Sequence, residues 1–102
     1  MLICKIYDKE GNEAFSTPIA HFSERIGQDS VTESLSCVFR VLQENVATAM
    51  NQYRDVMKIA VGKVAFFEDD TLVAEYTKYN TVNNVQLDYG VREFTGIILF
   101  TI

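Results

Sequence analysis

The sequence predicts an α+β fold, in which one long amphipathic helix packs on one face of an antiparallel sheet of five or six strands. Apolar residues recur at three- and four-residue steps between residues 31 and 53, which is the spacing of a one-sided helix. Elsewhere, short runs of β-branched and aromatic residues alternate with turn-forming residues, as in antiparallel strands. The 102 residues, 48% of them hydrophobic, leave room for a single domain, 1–102, with the element order ββαββββ.

The first two elements form a predicted hairpin. Residues 2–7 are rich in strand-forming residues and end at the turn signal 8–12, after which 13–22 form the predicted returning strand. Pro18 lacks a backbone N–H, so this second strand is expected at a sheet edge or at a bulge. Residues 23–29 are expected to be a polar loop.

The predicted helix has a start signal as well as a period. Ser30 and Glu33 fit a capping box, in which the Ser30 side chain accepts a hydrogen bond from the Glu33 backbone N–H and the Glu33 carboxylate reaches back. The apolar side would carry Leu35, Val38, Phe39, Leu42, Val46, Ala49, Met50 and Tyr53. No other segment keeps a helical period, so the partner of this helix must be the sheet.

Four strands are expected after the helix. Residues 57–67 alternate in polarity, but the alternation shifts by one residue at Gly62, which predicts a β-bulge there. Residues 68–71 are typical of a hairpin turn. The remaining strands are expected over residues 72–79, 85–92 and 97–102. Consecutive hairpins of this kind imply a meander.

Charge and cysteine content narrow the class of protein. Nine basic and fourteen acidic residues give a net charge of −5, which argues against non-specific binding of duplex nucleic acid. Cys4 and Cys37 lie in apolar runs and are expected to be buried free thiols of a cytoplasmic protein. The chain shows no signal region and no apolar run near the roughly 20 residues that a membrane span requires, so no membrane association is expected.

Few residues have the chemistry of catalysis or metal binding. His21 is the single histidine and there are two cysteines, which excludes histidine-rich and four-cysteine zinc sites. A nucleophilic pair of Cys37 and His21 would need an exposed thiolate, whereas Cys37 lies in an apolar run. The carboxylates at 68–70 lack the ligand spacing of a calcium loop. We therefore expect no enzymatic activity, no metal and no cofactor.

Aromatic and basic residues are interleaved in the C-terminal half, on the sheet face that the helix would leave open. Such rings stack bases while the cations hold phosphates, although the same residues also form ordinary cross-strand pairs or anchor protein partners. The candidate binding residues are Lys58, Lys63, Tyr76, Lys78, Tyr79, Tyr89 and Arg92. The expected function is that of a small interaction protein that binds itself and a protein partner, and the alternative is single-stranded nucleic-acid binding.

The last strand is apolar on both faces. Such a strand lies either inside a sheet or at an edge that needs a partner. At an edge, it would pair with a second copy of the chain and form a homodimer. Ile98, Phe100 and Ile102 are the residues expected at this dimer edge.

Three short segments carry a resemblance to a known family. They are Lys5-Ile6-Tyr7-Asp8 followed by Phe15 and Pro18, the amphipathic segment, and Tyr53-Arg54-Asp55 leading through Ile59, Val61 and Gly62 to Asp69-Asp70. In this order they resemble the small nonstructural protein of gokushoviruses, which are single-stranded DNA phages. The resemblance implies a phage protein that acts in the host cytoplasm during genome replication and contacts single-stranded DNA. This chain departs from the family in two ways: its predicted helix is longer, and it lacks paired aromatic residues after the proline.

Overall fold

A computed structural model of the protein describes residues 1–27, 33–42, 51, 53–89 and 93–102. Eight strands lie in these residues, and they form two four-stranded antiparallel sheets. The strands are β1 Leu2–Asp8, β2 Glu13–Pro18, β3 His21–Arg25, β4 Ser34–Leu42, β5 Val61–Glu68, β6 Thr71–Tyr76, β7 Thr81–Tyr89 and β8 Glu93–Thr101. The first sheet has the order β2-β1-β5-β6, and the second sheet has the order β3-β4-β8-β7.

The predicted α+β fold is wrong, because the first half of the expected helix is strand β4. This strand pairs with β3 on one side and β8 on the other. Leu35, Cys37 and Phe39 are fully buried, so the apolar period that decides the structure here is two and not three or four. The run is apolar enough to satisfy both periods, and pairing on both sides satisfies the backbone of β4.

The rest of the predicted helix is only partly described. Residues 28–32, which include Ser30 of the expected capping box, and residues 43–50 and 52 lie outside the described residues. Residue 51 and residues 53–56 are helical. Glu33 is not helical, and its carboxylate accepts from Lys78 instead.

The second predicted strand, 13–22, is divided between the sheets. Its first part is β2 in the first sheet, and β3 occupies residues that were expected to begin a loop. The chain crosses from sheet to sheet at two adjacent residues: the Ile19 N–H donates to Leu2 O at 2.9 Å, and the Ala20 N–H donates to Val38 O at 2.6 Å. The polar composition of 23–29 predicted a loop, because β3 is an edge strand whose exposed residues His21, Ser23 and Arg25 are polar.

The predicted bulge at Gly62 is confirmed. Tyr7 pairs with Lys63 and Asp8 pairs with Val61, so Gly62 is the additional residue on β5. A Cβ atom at Gly62 would lie 2.4 Å from the backbone oxygen of Asp8. Only glycine therefore allows the two backbones to approach this closely.

The two predicted turns that flank the first sheet are also confirmed. In the β1–β2 turn, Asp8 Oδ1 accepts from the backbone N–H groups of Glu10 at 3.0 Å and Asn12 at 2.9 Å. In the β5–β6 turn, Asp69 and Asp70 have φ values of 48° and 69°, the left-handed backbone of a two-residue type I′ turn.

The inner faces of the two sheets form one continuous core, which makes the fold a β-sandwich. Phe22 of the second sheet stacks on Phe66 of the first, with ring centroids 3.9 Å apart. Phe39 lies against Gly96 on the neighbouring strand and stacks on Tyr53 at 3.9 Å. The helical residues thereby cover one part of the core.

Each of the four edge strands is poorly suited to pairing with another strand. Three of them contain an additional residue that breaks the ladder, namely Ala14 on β2, Val73 on β6 and Asn83 on β7. The fourth, β3, has five residues, and its exposed residues are the polar His21, Ser23 and Arg25. Bulges and charges are the usual protection of a sheet edge, so the described edges do not favour strand addition.

Candidate interaction surface

Three of the predicted binding residues come together, but not as an exposed platform. Tyr79 is fully buried, and its hydroxyl donates to Glu24 Oε2 at 2.6 Å. Tyr76 packs edge-on against Tyr79, with ring centroids 5.8 Å apart. Lys78 lies 3.1 Å from Glu24 and 3.2 Å from Glu33. We call Glu24, Glu33, Tyr76, Lys78 and Tyr79 the tyrosine–lysine cluster.

The electrostatics of this cluster are those of a closed contact. Burial, followed by the hydrogen bond with Glu24, raises the pKa of Tyr79 to about 12. The hydrogen bond from Tyr79 lowers the pKa of Glu24, and the hydrogen bonds with Glu24 and Glu33 raise the pKa of Lys78. Two carboxylates balance the charge of Lys78, so the cluster holds the second sheet to the β6–β7 turn.

The other predicted binding residues lie elsewhere. Lys58 follows the helical residues and lies 3.4 Å from Asp55, and Lys63 is on β5. Arg92 and the side chain of Tyr89 lie outside the described residues. The structure therefore does not unite the seven predicted residues in one site.

The predicted dimer edge is wrong, because β8 lies inside the second sheet. It pairs with β4 on one side and β7 on the other. Ile98 and Phe100 are fully buried in the core, while Ile102 follows the strand and is exposed. The two-sided apolar pattern that suggested an edge is explained by an interior strand.

A surface that does combine aromatic and basic residues lies on the outer face of the first sheet. Cys4 and Ile6 of β1 are fully buried in the core, so the alternate residues point outward. The outward positions pair Ile3 with Phe67, Lys5 with Ala65 and Tyr7 with Lys63. We call these six residues, together with Leu72 and Val73 of β6, the outer face.

Each lysine of the outer face contacts an aromatic ring on the neighbouring strand. Lys63 Nζ lies 4.6 Å from the ring centroid of Tyr7, and Lys5 Nζ lies 4.9 Å from that of Phe67. Both distances are within the range of cation–π attraction. Ala65, between them, is only 1% exposed, which shows that the longer side chains close over it.

Carboxylates flank the same lysines. Glu13 on β2 lies 3.4 Å from Lys5, and Glu75 on β6 lies 3.9 Å from Lys63. These contacts are half-exposed and contribute little to stability. They do balance the charge of the outer face, so the face is amphipathic and not basic.

One end of the outer face is strongly apolar. Leu72 is 48% exposed and Val73 is 51% exposed, and Leu72 pairs with Phe67 across the strands. Met1 lies beside the same turn, because Asp69 N–H donates to Met1 O at 3.4 Å. Exposed apolar side chains that gather in this way mark interaction surfaces more often than scattered ones do.

A cleft adjoins this apolar end. It has a volume of about 300 Å³ and is lined by Met1, Pro18, Ile19, Ala20 and Arg40. Pro18 pairs with Ile3 of the outer face, so cleft and face are continuous. The cleft has room for a large apolar side chain, and the Arg40 guanidinium in its lining can pair with a carboxylate.

The binding candidates predicted from the sequence do not include Lys5, Tyr7 or Phe67. The alternation of Cys4 and Ile6 with Lys5 and Tyr7 was visible, and it indicates one polar and one apolar side of β1. The missing information was that β1 pairs with β5. That pairing joins segments far apart in the chain, which local patterns do not specify.

The chain matches no protein-family model, no curated protein and no solved structure. The resemblance to the gokushovirus protein therefore remains a prediction. Within the described residues, no helix has the length and apolar character that crossing a membrane requires.

Proposed function

We propose that the protein is a non-enzymatic interaction module that binds a protein partner through the outer face and the adjoining cleft. The observation that carries this proposal is the continuity of Leu72, Val73 and Phe67 with the cleft, framed by two lysine–carboxylate pairs. An apolar centre with a charged rim is the usual anatomy of a protein interface. Aromatic anchors such as Tyr7 and Phe67 are enriched at such interfaces.

The placement of the potential nucleophile supports a non-enzymatic role. Cys37 faces the core and is fully buried, and burial raises the pKa of its thiol well above the usual range. His21 pairs with Val38, the next residue of β4, so its side chain points to the opposite side of the sheet. The two residues do not form a thiol–imidazole pair. Two free, buried thiols further support a cytoplasmic location, because they are typical of proteins in a reducing compartment.

Photo-crosslinking tests the proposed surface. A photoreactive phenylalanine derivative replaces Leu72 in one sample and Met57 in a control, since these residues are 48% and 46% exposed. In a cell lysate, we expect one discrete adduct from position 72 and none from position 57. Excess unlabelled protein should suppress the adduct, whereas excess Leu72→Glu protein should not.

The other outcomes of this experiment are equally informative. Equal labelling at both positions, or no competition by unlabelled protein, contradicts the proposed surface. An adduct of twice the mass of the chain identifies a second copy as the occupant, and the protein would then self-associate through the outer face and not through β8. An adduct with nucleic acid would show that the partner is a nucleic acid and not a protein.

Single-stranded nucleic-acid binding is the second candidate, and the two ring–lysine pairs of the outer face favour it. Tyr7 and Phe67 could stack bases while Lys5 and Lys63 contact phosphates. The flanking Glu13 and Glu75 weigh against it. Fluorescence anisotropy with a labelled oligonucleotide decides: salt-sensitive binding that is lost in Lys5→Glu/Lys63→Glu supports this candidate, and no binding at low salt excludes it.

A further inference from the structure

Two thiols meet in the core between the sheets. Cys4 of β1 pairs with Phe66, and Cys37 of β4 pairs with Phe22. The rings of Phe66 and Phe22 stack on each other across the two sheets, with centroids 3.9 Å apart. Both cysteines are fully buried beside this stack, and they enter the same core from opposite sheets.

The electrostatics agree with this placement. After burial, the neighbouring Cys4 thiol is the second cause that raises the pKa of the Cys37 thiol. Both residues are free thiols in the structure. The pair thus differs from an isolated buried cysteine, which would only fill space in the core.

We propose that Cys4 and Cys37 are an oxidation site, at which a small-molecule disulfide such as oxidised glutathione converts the two thiols into a disulfide that links the sheets. The first thiolate attacks the glutathione disulfide and releases one glutathione thiol. The second thiolate then attacks the protein sulfur of the mixed disulfide and releases the other. Two thiol hydrogens leave the protein and are recovered on the two reduced glutathione molecules.

The sandwich architecture suits such a bond. A disulfide requires two Cα atoms within about 7 Å and Cβ atoms that point toward each other. Residues that face each other from the inner sides of two packed sheets meet the second requirement, and immunoglobulin domains carry an inter-sheet disulfide in this relation. The bond here would join β1 to β4 and so tie the first sheet to the second.

Burial determines when the reaction occurs. Both thiols are inaccessible in the folded chain, and a raised thiol pKa leaves little of the reactive thiolate. Oxidation of the folded protein is therefore slow and follows transient opening. When oxidised glutathione is present during folding, the thiols are exposed to it, and the bond forms as the sheets meet.

Equilibration in glutathione redox buffers tests the proposal. The full chain is held at a series of oxidised-to-reduced glutathione ratios, once under native conditions and once in concentrated urea, then alkylated and weighed by mass spectrometry. We expect a monomer that lacks two hydrogens and resists alkylation. It should form at a glutathione ratio about tenfold more reducing in the folded chain than in the unfolded chain.

Two results would overturn the proposal. One is that the folded chain is no more readily oxidised than the chain in urea, since the fold then does not favour the bond. The other is that mixed disulfides or disulfide-linked dimers are the only oxidised products. Cys37→Ser serves as the control, because it retains Cys4 but should give only the mixed disulfide. If this variant does not fold, the unchanged chain still tests the proposal, because its oxidation is compared under native conditions and in urea.

Discussion

The tyrosine–lysine cluster and the outer face are built from the same types of residue but differ in what surrounds them. In the cluster, Tyr79 is fully buried and two carboxylates surround Lys78. On the outer face, Tyr7 is partly exposed, and Lys63 on the neighbouring strand lies over its ring. The two lysines are similarly exposed, at 43% for Lys78 and 38% for Lys63, so the regions differ in the burial of the tyrosine and in the number of paired carboxylates. Residue type alone therefore does not identify a binding surface.

Truncation of the two tyrosines should show the largest difference between these regions. Tyr79→Ala removes a buried ring and its hydrogen bond to Glu24, and we expect it to lower the free energy of unfolding by about 3–5 kcal/mol. Tyr7→Ala removes a half-exposed ring, and we expect a loss of roughly 1 kcal/mol. Urea denaturation measures both. Equal losses would show that the outer face is as much a part of the core as the cluster is.

The second largest difference between the two regions should be in how stability depends on pH. The pKa of Glu24 is lowered by its hydrogen bond from Tyr79, so the ionised carboxylate stabilises the folded state at neutral pH. This contribution is present above the ordinary value of 4.5 and is lost as the pH falls through the lowered pKa of Glu24. The difference in unfolding free energy between the unchanged protein and Glu24→Gln should therefore shrink on acidification.

The alkaline side provides a control for the same contact. The pKa of Tyr79 is raised to about 12, so the neutral phenol stabilises the fold below the ordinary value of 10.0 and this contribution is lost as the pH rises through 12. Tyr79→Phe should remove one late step from the ultraviolet titration of the tyrosines. A late step that persists in Tyr79→Phe would assign it to another tyrosine.

Charge reversal on the outer face should change stability little and binding strongly. Lys63→Glu loses a half-exposed cation–π contact and the contact with Glu75, which together amount to about 1 kcal/mol or less. If the face binds a partner, the same variant should abolish the crosslink from position 72. If the variant keeps both its stability and its crosslink, Lys63 is not part of the interaction surface.

The features that sequence analysis predicted correctly are local ones. The bulge at Gly62 was visible because the polarity of β5 shifts by one residue there, and the turn at Asp69 and Asp70 was visible from its composition. Both depend on the backbone of a few neighbouring residues. No distant part of the chain is needed to specify them.

The features that were missed depend on distant partners. The run from Ser34 to Leu42 is apolar enough for a helical or a strand period, and pairing with β3 and β8 decides for the strand. The burial of Tyr79 depends in the same way on Glu24, which lies on β3 and is 55 residues earlier in the chain. The outer face, likewise, exists only because β1 pairs with β5.

The hairpin turn that borders the outer face should give the smallest effect, and a favourable one. Asp70 has a φ of 69°, a backbone conformation that costs an L-residue up to about 1 kcal/mol and costs glycine nothing. Because glycine also loses more entropy on folding, Asp70→Gly should raise the free energy of unfolding by only about 0.5 kcal/mol. Glu10→Gly, at a turn position whose φ is not positive, should lower it slightly. If Asp70→Gly raises the free energy of unfolding and leaves the crosslink from position 72 unchanged, the turn supports the outer face without belonging to it. If the variant instead loses stability, the Asp70 side chain has a role in the fold beyond its backbone conformation.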